Sequence, residues 1–375
     1  MKPFSFFITA VILLSIEACT LKAETNKFAD DREIMELTTE TQHLLKNLRQ
    51  IPSKGIMFGH QDSPLYGVGW EGDSARSDVK SVVGDYPAVM GFDIGRIELG
   101  REKNIDNVPF EKIRQEIIHQ YERGGMITIS WHIDNPLTDG DSWDVATKGA
   151  VASILPNGEN HEKFLGWLEA AASFLKSLET KNGTKIPILF RPWHEHTGSW
   201  FWWGKENCTA EEYKQLWILT HDYFKKHALN NLLFAYSPNA VGDEEMYMER
   251  YPGDEYVDLL GLDCYHGNEE GAESYQTSLH AMLALMTEEG KQRNKPIALT
   301  ETGLETIPIP DWWTSILFPV LDKYPVSYVL VWRNARERPN HYYAPYPEQI
   351  SAGDFIDFYK NPKTLFCRDI QGLYQ

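Results

Sequence analysis

From Gly55 onward the chain alternates short apolar runs, eight in all, with longer amphipathic stretches. The runs are Gly55–His60, Tyr86–Asp93, Met126–His132, Ile186–Glu195, Leu232–Asn239, Val257–His266, Ile297–Gly303 and Val326–Asn334. The clearest intervening stretches are Pro109–Gly124, His161–Lys181, Ala210–His227, Tyr275–Lys291 and Asp311–Tyr324. In His161–Lys181, the residues Phe164, Trp167, Leu168, Ala171, Phe174, Leu175 and Leu178 recur at helical spacing. Nearly continuous apolar strands separated by helices require a parallel sheet covered on both faces. Eight such units predict an α/β fold closed into a (β/α)8 barrel of the TIM type. A doubly wound open sheet would share the same local grammar. The chain has 375 residues, and such a barrel needs about 250. No low-complexity linker or internal repeat divides it, so one domain is expected over residues 24–375.

The segment before that domain reads as an export signal. Lys2 precedes the apolar run Phe4–Ile16, which is too short to span a bilayer comfortably. Ala18 stands directly before Cys19, a loose form of a bacterial lipoprotein cleavage site, and cleavage after Ala23 is the rival. An exported protein is expected, periplasmic, held at the cell envelope through a lipidated Cys19, or secreted. Membrane attachment would come only through that lipid. Cys208, Cys264 and Cys367 remain, an odd number without metal-type spacing, so no disulfide framework is implied.

The strand ends carry the chemistry. They read Gly-His (59–60), Gly-Phe-Asp (91–93), Ser-Trp-His (130–132), Arg-Pro-Trp-His-Glu (191–195), Ser-Pro-Asn (237–239), Asp-Cys-Tyr-His (263–266), Thr-Glu-Thr-Gly (300–303) and Trp-Arg-Asn (332–334). In a barrel these ends share the face that holds the active site. Simple solvation of strand ends would favour Lys, Gly and Asn over this set of His, Glu, Asp, Tyr, Trp and Arg. The 12 Trp, 18 Tyr and 17 Phe include several beside Gly, Asn and Asp in apparent loops. Flat aromatic faces next to polar groups suit a sugar. The net charge of -18 would repel nucleic acid and anionic lipid surfaces without hindering a neutral substrate.

Glu195 and Glu301 end the fourth and seventh strands, and would face each other across the hollow of a closed barrel. Glycoside hydrolysis needs two carboxyl groups flanking the scissile bond. A lone strand-end Glu is usually a salt-bridged or solvated carboxylate; two opposed ones in such neighbourhoods point to catalysis. The run His194-Glu-His196 invites a zinc reading. A zincin needs His-Glu-x-x-His on a helix, and position 198 is Gly198. On a strand, both histidines would point opposite to Glu195, so no metal is expected there. For each of His60, Asp93, Trp131 and His266, rim packing and substrate contact weigh equally. Within Trp200–Trp203, Phe201 or Trp202 is expected in the core.

Arg191-Pro-Trp-His-Glu-His-Thr-Gly-Ser-Trp-Phe-Trp-Trp-Gly204 resembles the acid/base segment of glycoside hydrolase family 26, a family of retaining (β/α)8 enzymes in clan A. Thr300-Glu-Thr-Gly303 is similar to its nucleophile strand. The wider clan places Asn before the acid/base Glu; His194 in that place is typical of family 26. The resemblance implies a cofactor-free, metal-free β-mannanase that cleaves β-1,4-mannosidic linkages of mannan, galactomannan or manno-oligosaccharides by double displacement. It implies Glu195 as acid/base and Glu301 as nucleophile. It further implies His194 near the sugar 2-hydroxyl, Tyr265 as a donor to the nucleophile, and Asp263 as an ordering residue. Trp200 is implied on the leaving-group side, His132 and Trp143 on the glycone side, Trp332 beneath the −1 sugar, and Arg333 at the next sugar outward. The expected state is a monomer. Two alternatives stand beside this reading: a β-glucanase or β-xylanase of the same family, and a non-catalytic carbohydrate-binding lipoprotein. Endo or exo action depends on the loops Ile133–Asn160 and Ala335–Ile350.

Overall fold

A computed structural model of the protein describes Met1 and residues 36–375. Beyond Met1, the expected leader over residues 1–23, with Cys19 and Ala23, lies outside the described residues. The eight expected strands are present as β1 (Ile56–Gln61), β2 (Val89–Asp93), β3 (Met126–Ser130), β4 (Ile188–Arg191), β5 (Leu232–Tyr236), β6 (Leu259–Asp263), β7 (Ile297–Thr302) and β8 (Val326–Val331). Each pairs in parallel with the next, and β8 pairs with β1 from Met57↔Tyr328 to His60↔Val331, which closes the barrel. A two-residue strand, Thr364–Leu365, pairs in parallel alongside the start of β1.

Side chains alternate across a strand, and the barrel interior follows that period. Met57, Val89, Met126, Leu189, Leu233, Ala235, Leu259, Ala298, Tyr328 and Leu330 form one buried cluster. Leu44 and Leu48 of the helix Thr39–Gln50 belong to it too. The larger cluster lies outside the barrel and includes Phe58, Phe92, Ile129, Phe190 and Phe234, the opposite parity of the same strands. Truncating an interior residue such as Leu233 to Ala would cost about 2–5 kcal/mol. Further along β2 to β6 the interior parity turns polar, to Asp93, Ser130, Arg191, Ser237 and Asp263. That change from apolar to polar is what makes one end of the barrel a floor for chemistry.

Four helices lie where they are expected, Phe110–Glu122, His161–Lys176, Ala210–Lys226 and Ala272–Arg293, although the second ends five residues before the expected Lys181 and leaves Leu178 outside it. The first of these is entered directly after Pro109, and the third is fixed by a capping box between Thr209 and Glu212. Asp311–Tyr324 differs from expectation. It is a π-helical stretch, Trp312–Leu317, followed by a four-residue α-helix, because Pro319 suits the start of a helix but not its interior. Cys208, Cys264 and Cys367 are free and buried. No helix among the described residues is long and apolar enough to cross a membrane.

Candidate active site

Two local departures from regular strand geometry bring the opposed carboxylates together. At β4 the ladder stops at Arg191 because Pro192 has no N–H to continue it. The expected strand Ile186–Glu195 is therefore too long by four residues at its functional end. Trp193 and Glu195 then both adopt φ of 53°, a conformation uncommon for residues with side chains. The segment is pinned by its carbonyls and amides. Tyr213 Oη donates to the Trp193 carbonyl at 2.9 Å, Trp203 Nε1 to that of His194 at 2.8 Å, and Glu195 N to that of Ser237 at 2.8 Å. The alternation argument against zinc is corrected here, since Glu195 lies on a turn. His194 reaches toward His132, while His196 is packed between Tyr213 and Tyr236 in the core.

At β7 the device is a bulge. Leu262 pairs with Leu299 but Asp263 with Glu301, and on the other side Val329 pairs with Leu299 but Val331 with Thr302. One extra residue is thus accommodated on β7 between Leu299 and its rim. Ala298 and Thr300 face the interior, so strict alternation would turn Glu301 toward the helices. The bulge re-aims it into the barrel mouth. One oxygen each from Glu195, Asp263 and Glu301 then lie within 4.8 Å of one another.

The two glutamates are held differently. Glu301 accepts from the Arg191 guanidinium on one oxygen and from Tyr265 Oη on the other, the latter at 2.7 Å. Arg191 also donates to Asp263 at 2.9 Å. Asp263 accepts from Ser237 Oγ at 2.8 Å and Thr300 Oγ1 at 2.7 Å, tying β4 to β7 together through side chains. Burial, with Glu301 adding to it against Arg191, pushes Asp263 up to about 7. Glu195 keeps partial access to the cleft and has one side-chain donor, Trp200 Nε1 at 2.7 Å. Its carboxyl is held well above the usual carboxylate range by burial first, then by the charges of Glu301 and Asp263.

On the opposite side of the cleft, Asp93 accepts from His132 Nδ1 at 2.7 Å, and His132 Nε2 lies 3.3 Å from His194 Nε2. Burial opposes charge on His132, but the charge and hydrogen bond of Asp93 hold it above its ordinary value. Burial, reinforced by Arg191 and His132, holds His194 well below. The two imidazoles thus meet edge to edge through their Nε2 atoms, with charge favoured on His132 and disfavoured on His194. Trp143 stacks on His132 at 5.4 Å and Trp332 lies at 5.9 Å. Trp143 and Trp200 are 46% and 40% exposed, so each leaves a ring face free for a ligand. Beside Glu195 a cleft of about 370 Å³ runs past Trp200, Asn239, Tyr265 and Glu270.

The fold thus gathers Glu195, Glu301, His132, Trp143, His194, Trp200, Asp263, Tyr265 and Trp332. Arg333 stands next to them, but its guanidinium pairs with Asp106 at 3.0 Å and Glu337 at 2.8 Å. Asp93 joins the site. Trp131 and His266 serve the rim, through Glu98 and Trp312 respectively. Phe201, expected in the core, is buried, yet its ring packs on His132, His194 and Trp143. Sequence reasoning missed Arg191 as a site residue, and the orienting hydroxyls of Ser237 and Thr300. The available signal was an Arg two residues beyond Leu189, on the interior parity of a buried strand.

Residues 35–305 match the family model for glycosyl hydrolase family 26. A GH26 β-mannanase structure from Bacteroides ovatus is 57% identical, with TM-score 0.88, over 90% of this chain and 98% of that one. A mannan endo-1,4-β-mannosidase from Bifidobacterium adolescentis is 35% identical over 71% of this chain, which spans only 27% of that protein's length. One from Bacillus subtilis is 30% identical over 68% of each. With opposed, differently dressed carboxylates at the mouth of a closed parallel barrel and a family match over most of its length, the chain belongs to glycosyl hydrolase family 26.

Proposed function

We propose that the protein is a retaining β-mannanase that hydrolyses β-1,4-mannosidic linkages in mannan, galactomannan or manno-oligosaccharides. The observation that carries the mechanism is the grouping of carboxylate oxygens within 4.8 Å. Such closeness favours the roughly 5–5.5 Å carboxyl separation of double displacement over the 6.5–9.5 Å that leaves room for an inverting water. Mannan as substrate is supported by the similar proteins above, which are mannanases by name.

In this reading Glu195 starts protonated and gives its proton to the glycosidic oxygen. Glu301, an acceptor on both oxygens beside the Arg191 guanidinium, attacks the anomeric carbon and forms a glycosyl ester. The leaving sugar departs past Trp200. Once Glu301 is esterified, the charge that held Glu195 protonated is gone. Glu195 can then take a proton from water as it attacks, releasing a β-configured product. His132, Trp143, His194 and Trp332 line the glycone side, with Arg333 further out. The same proposal has the protein exported on the strength of Lys2 and the run Phe4–Ile16, acting as a monomer. It is lipid-anchored if cleavage falls before Cys19, and free if it falls after Ala23.

Proton NMR of the first product, before mutarotation, tests the mechanism: a β-anomer is expected, and an α-anomer would withdraw both roles. Product analysis on linear mannan and galactomannan tests the substrate. Ready cleavage of mixed-linkage glucan with none of mannan would overturn that assignment.

A further inference from the structure

The Thr-Glu-Thr-Gly run ends in a glycine that the mechanism leaves unexplained. Gly303 has φ of 149°, and a Cβ there would stand 2.4 Å from Cδ1 of Tyr343. The tyrosine ring therefore lies directly on the backbone two residues beyond Glu301. Its centroid is 5.6 Å from that of Tyr265, edge to face at 72°. Tyr265 is the residue that donates to Glu301. Both of these contacts, with Gly303 and with Tyr265, are made by the Tyr343 ring.

The loop that carries Tyr343 is fixed at both ends of this contact. Asn334 Oδ1 accepts from the backbone N–H of Tyr343 and of Ala344, both at 2.9 Å, while its amide donates to Asp78. His341 Nδ1 lies 2.7 Å from Glu305, two residues past Gly303. Beyond Glu305, Thr306 and Ile307 adopt φ of 64° and 44°, a strained conformation for two consecutive β-branched residues. Gln349 donates to both their carbonyls at 3.1 Å, and Thr306 N donates to the Tyr342 carbonyl at 2.9 Å. Strain of this kind persists only where surroundings over-determine it, and it concentrates at functional sites.

We propose that Tyr343 is a positioning residue for Glu301, acting through Tyr265: its ring, seated on Gly303, fixes the angle from which the Tyr265 hydroxyl meets the carboxylate. Gly303 is glycine because that seat admits no side chain. The inference rests on Glu301 as nucleophile.

The test is a double-mutant cycle on manno-oligosaccharides with Tyr343→Ala, Tyr265→Phe and the pair, each also melted to verify folding. Tyr343→Ala is expected to lower kcat about tenfold with KM within about twofold, and to add less than about twofold in the Tyr265→Phe background. Tyr343→Phe, which keeps the ring, should stay near wild type. Tyr343→Leu enters the same cycle should the alanine protein not fold. A loss carried in KM, full additivity with Tyr265→Phe, or equal damage from Tyr343→Phe would overturn the proposal. Those failures leave the Glu301 assignment untouched. Tyr265→Phe with wild-type kcat would instead count against the Glu301 reading itself, and this inference would fall with it.

Discussion

The exits of β4 and β7 present the same chemical group in opposite ways. Glu301 sits within a strand, turned inward by a bulge, with a guanidinium and a tyrosine hydroxyl on its two oxygens. Glu195 sits beyond a strand that proline ended, on a turn with positive φ, with one tryptophan N–H and partial access to the cleft. A group that must form and break a bond to carbon at a fixed angle is best built into the sheet and fully hydrogen-bonded. A group that must lose and regain a proton is best left sparsely bonded beside like charge, where its proton affinity depends on its neighbour's state.

The largest expected difference between the two exits is in catalysis. Glu301→Ala should lose about 10⁴-fold or more in kcat on every substrate. Glu195→Ala should lose about 10²–10⁴-fold on mannan, but its first step should be largely spared on an aryl mannoside whose leaving group needs no proton. Azide should then yield a β-mannosyl azide from Glu195→Ala and the opposite anomer from Glu301→Ala. Equal losses on both substrate types would erase the distinction.

Stability should separate the exits next. Arg191→Gln leaves Asp263 and Glu301 buried without their cation, and urea unfolding should register a loss of about 3–5 kcal/mol. Glu195→Gln removes a carboxyl whose charge its surroundings disfavour, and should be neutral or slightly stabilising. A destabilised Glu195→Gln would mean that the β4 turn is held by that side chain. On the glycone side, Trp332→Ala should reduce kcat about ten- to hundredfold, equivalent to ~1.4–2.8 kcal/mol. Arg333→Ala should act mainly on KM and product pattern. Negligible effects of both would misplace the glycone end.

The smallest effect is a displaced pH limb. Glu195 acts first as an acid, so kcat/KM falls as pH rises through its pKa. Trp200 Nε1–H favours the charged form of Glu195. Trp200→Phe removes that donor, raises the pKa further and should move the basic limb to higher pH. Movement in the other direction would show that Trp200 acts on Glu195 only through packing.

Read alone, the sequence determined the eight strands, their parallel order and the residue types at their ends, because these are written in local apolar runs and helical spacing. It also marked both glutamates, since rare residues at strand ends stand out without any knowledge of contacts. Which way those residues face was decided only by tertiary structure. The period of two across β7 assigns Glu301 to the helix side, and only mismatched register with β6 and β8 turns it inward. Likewise Arg191 lies 72 residues from Asp263 and 110 from Glu301 in the chain, so its place on the interior parity of β4 marks a buried cation but not the carboxylates it orders. Tyr343 is more distant in kind: its place on Gly303 depends on two loops with no sequence period at all. Strand identity follows from each segment's own residues, whereas bulges, buried ion pairs and loop seats arise where segments meet.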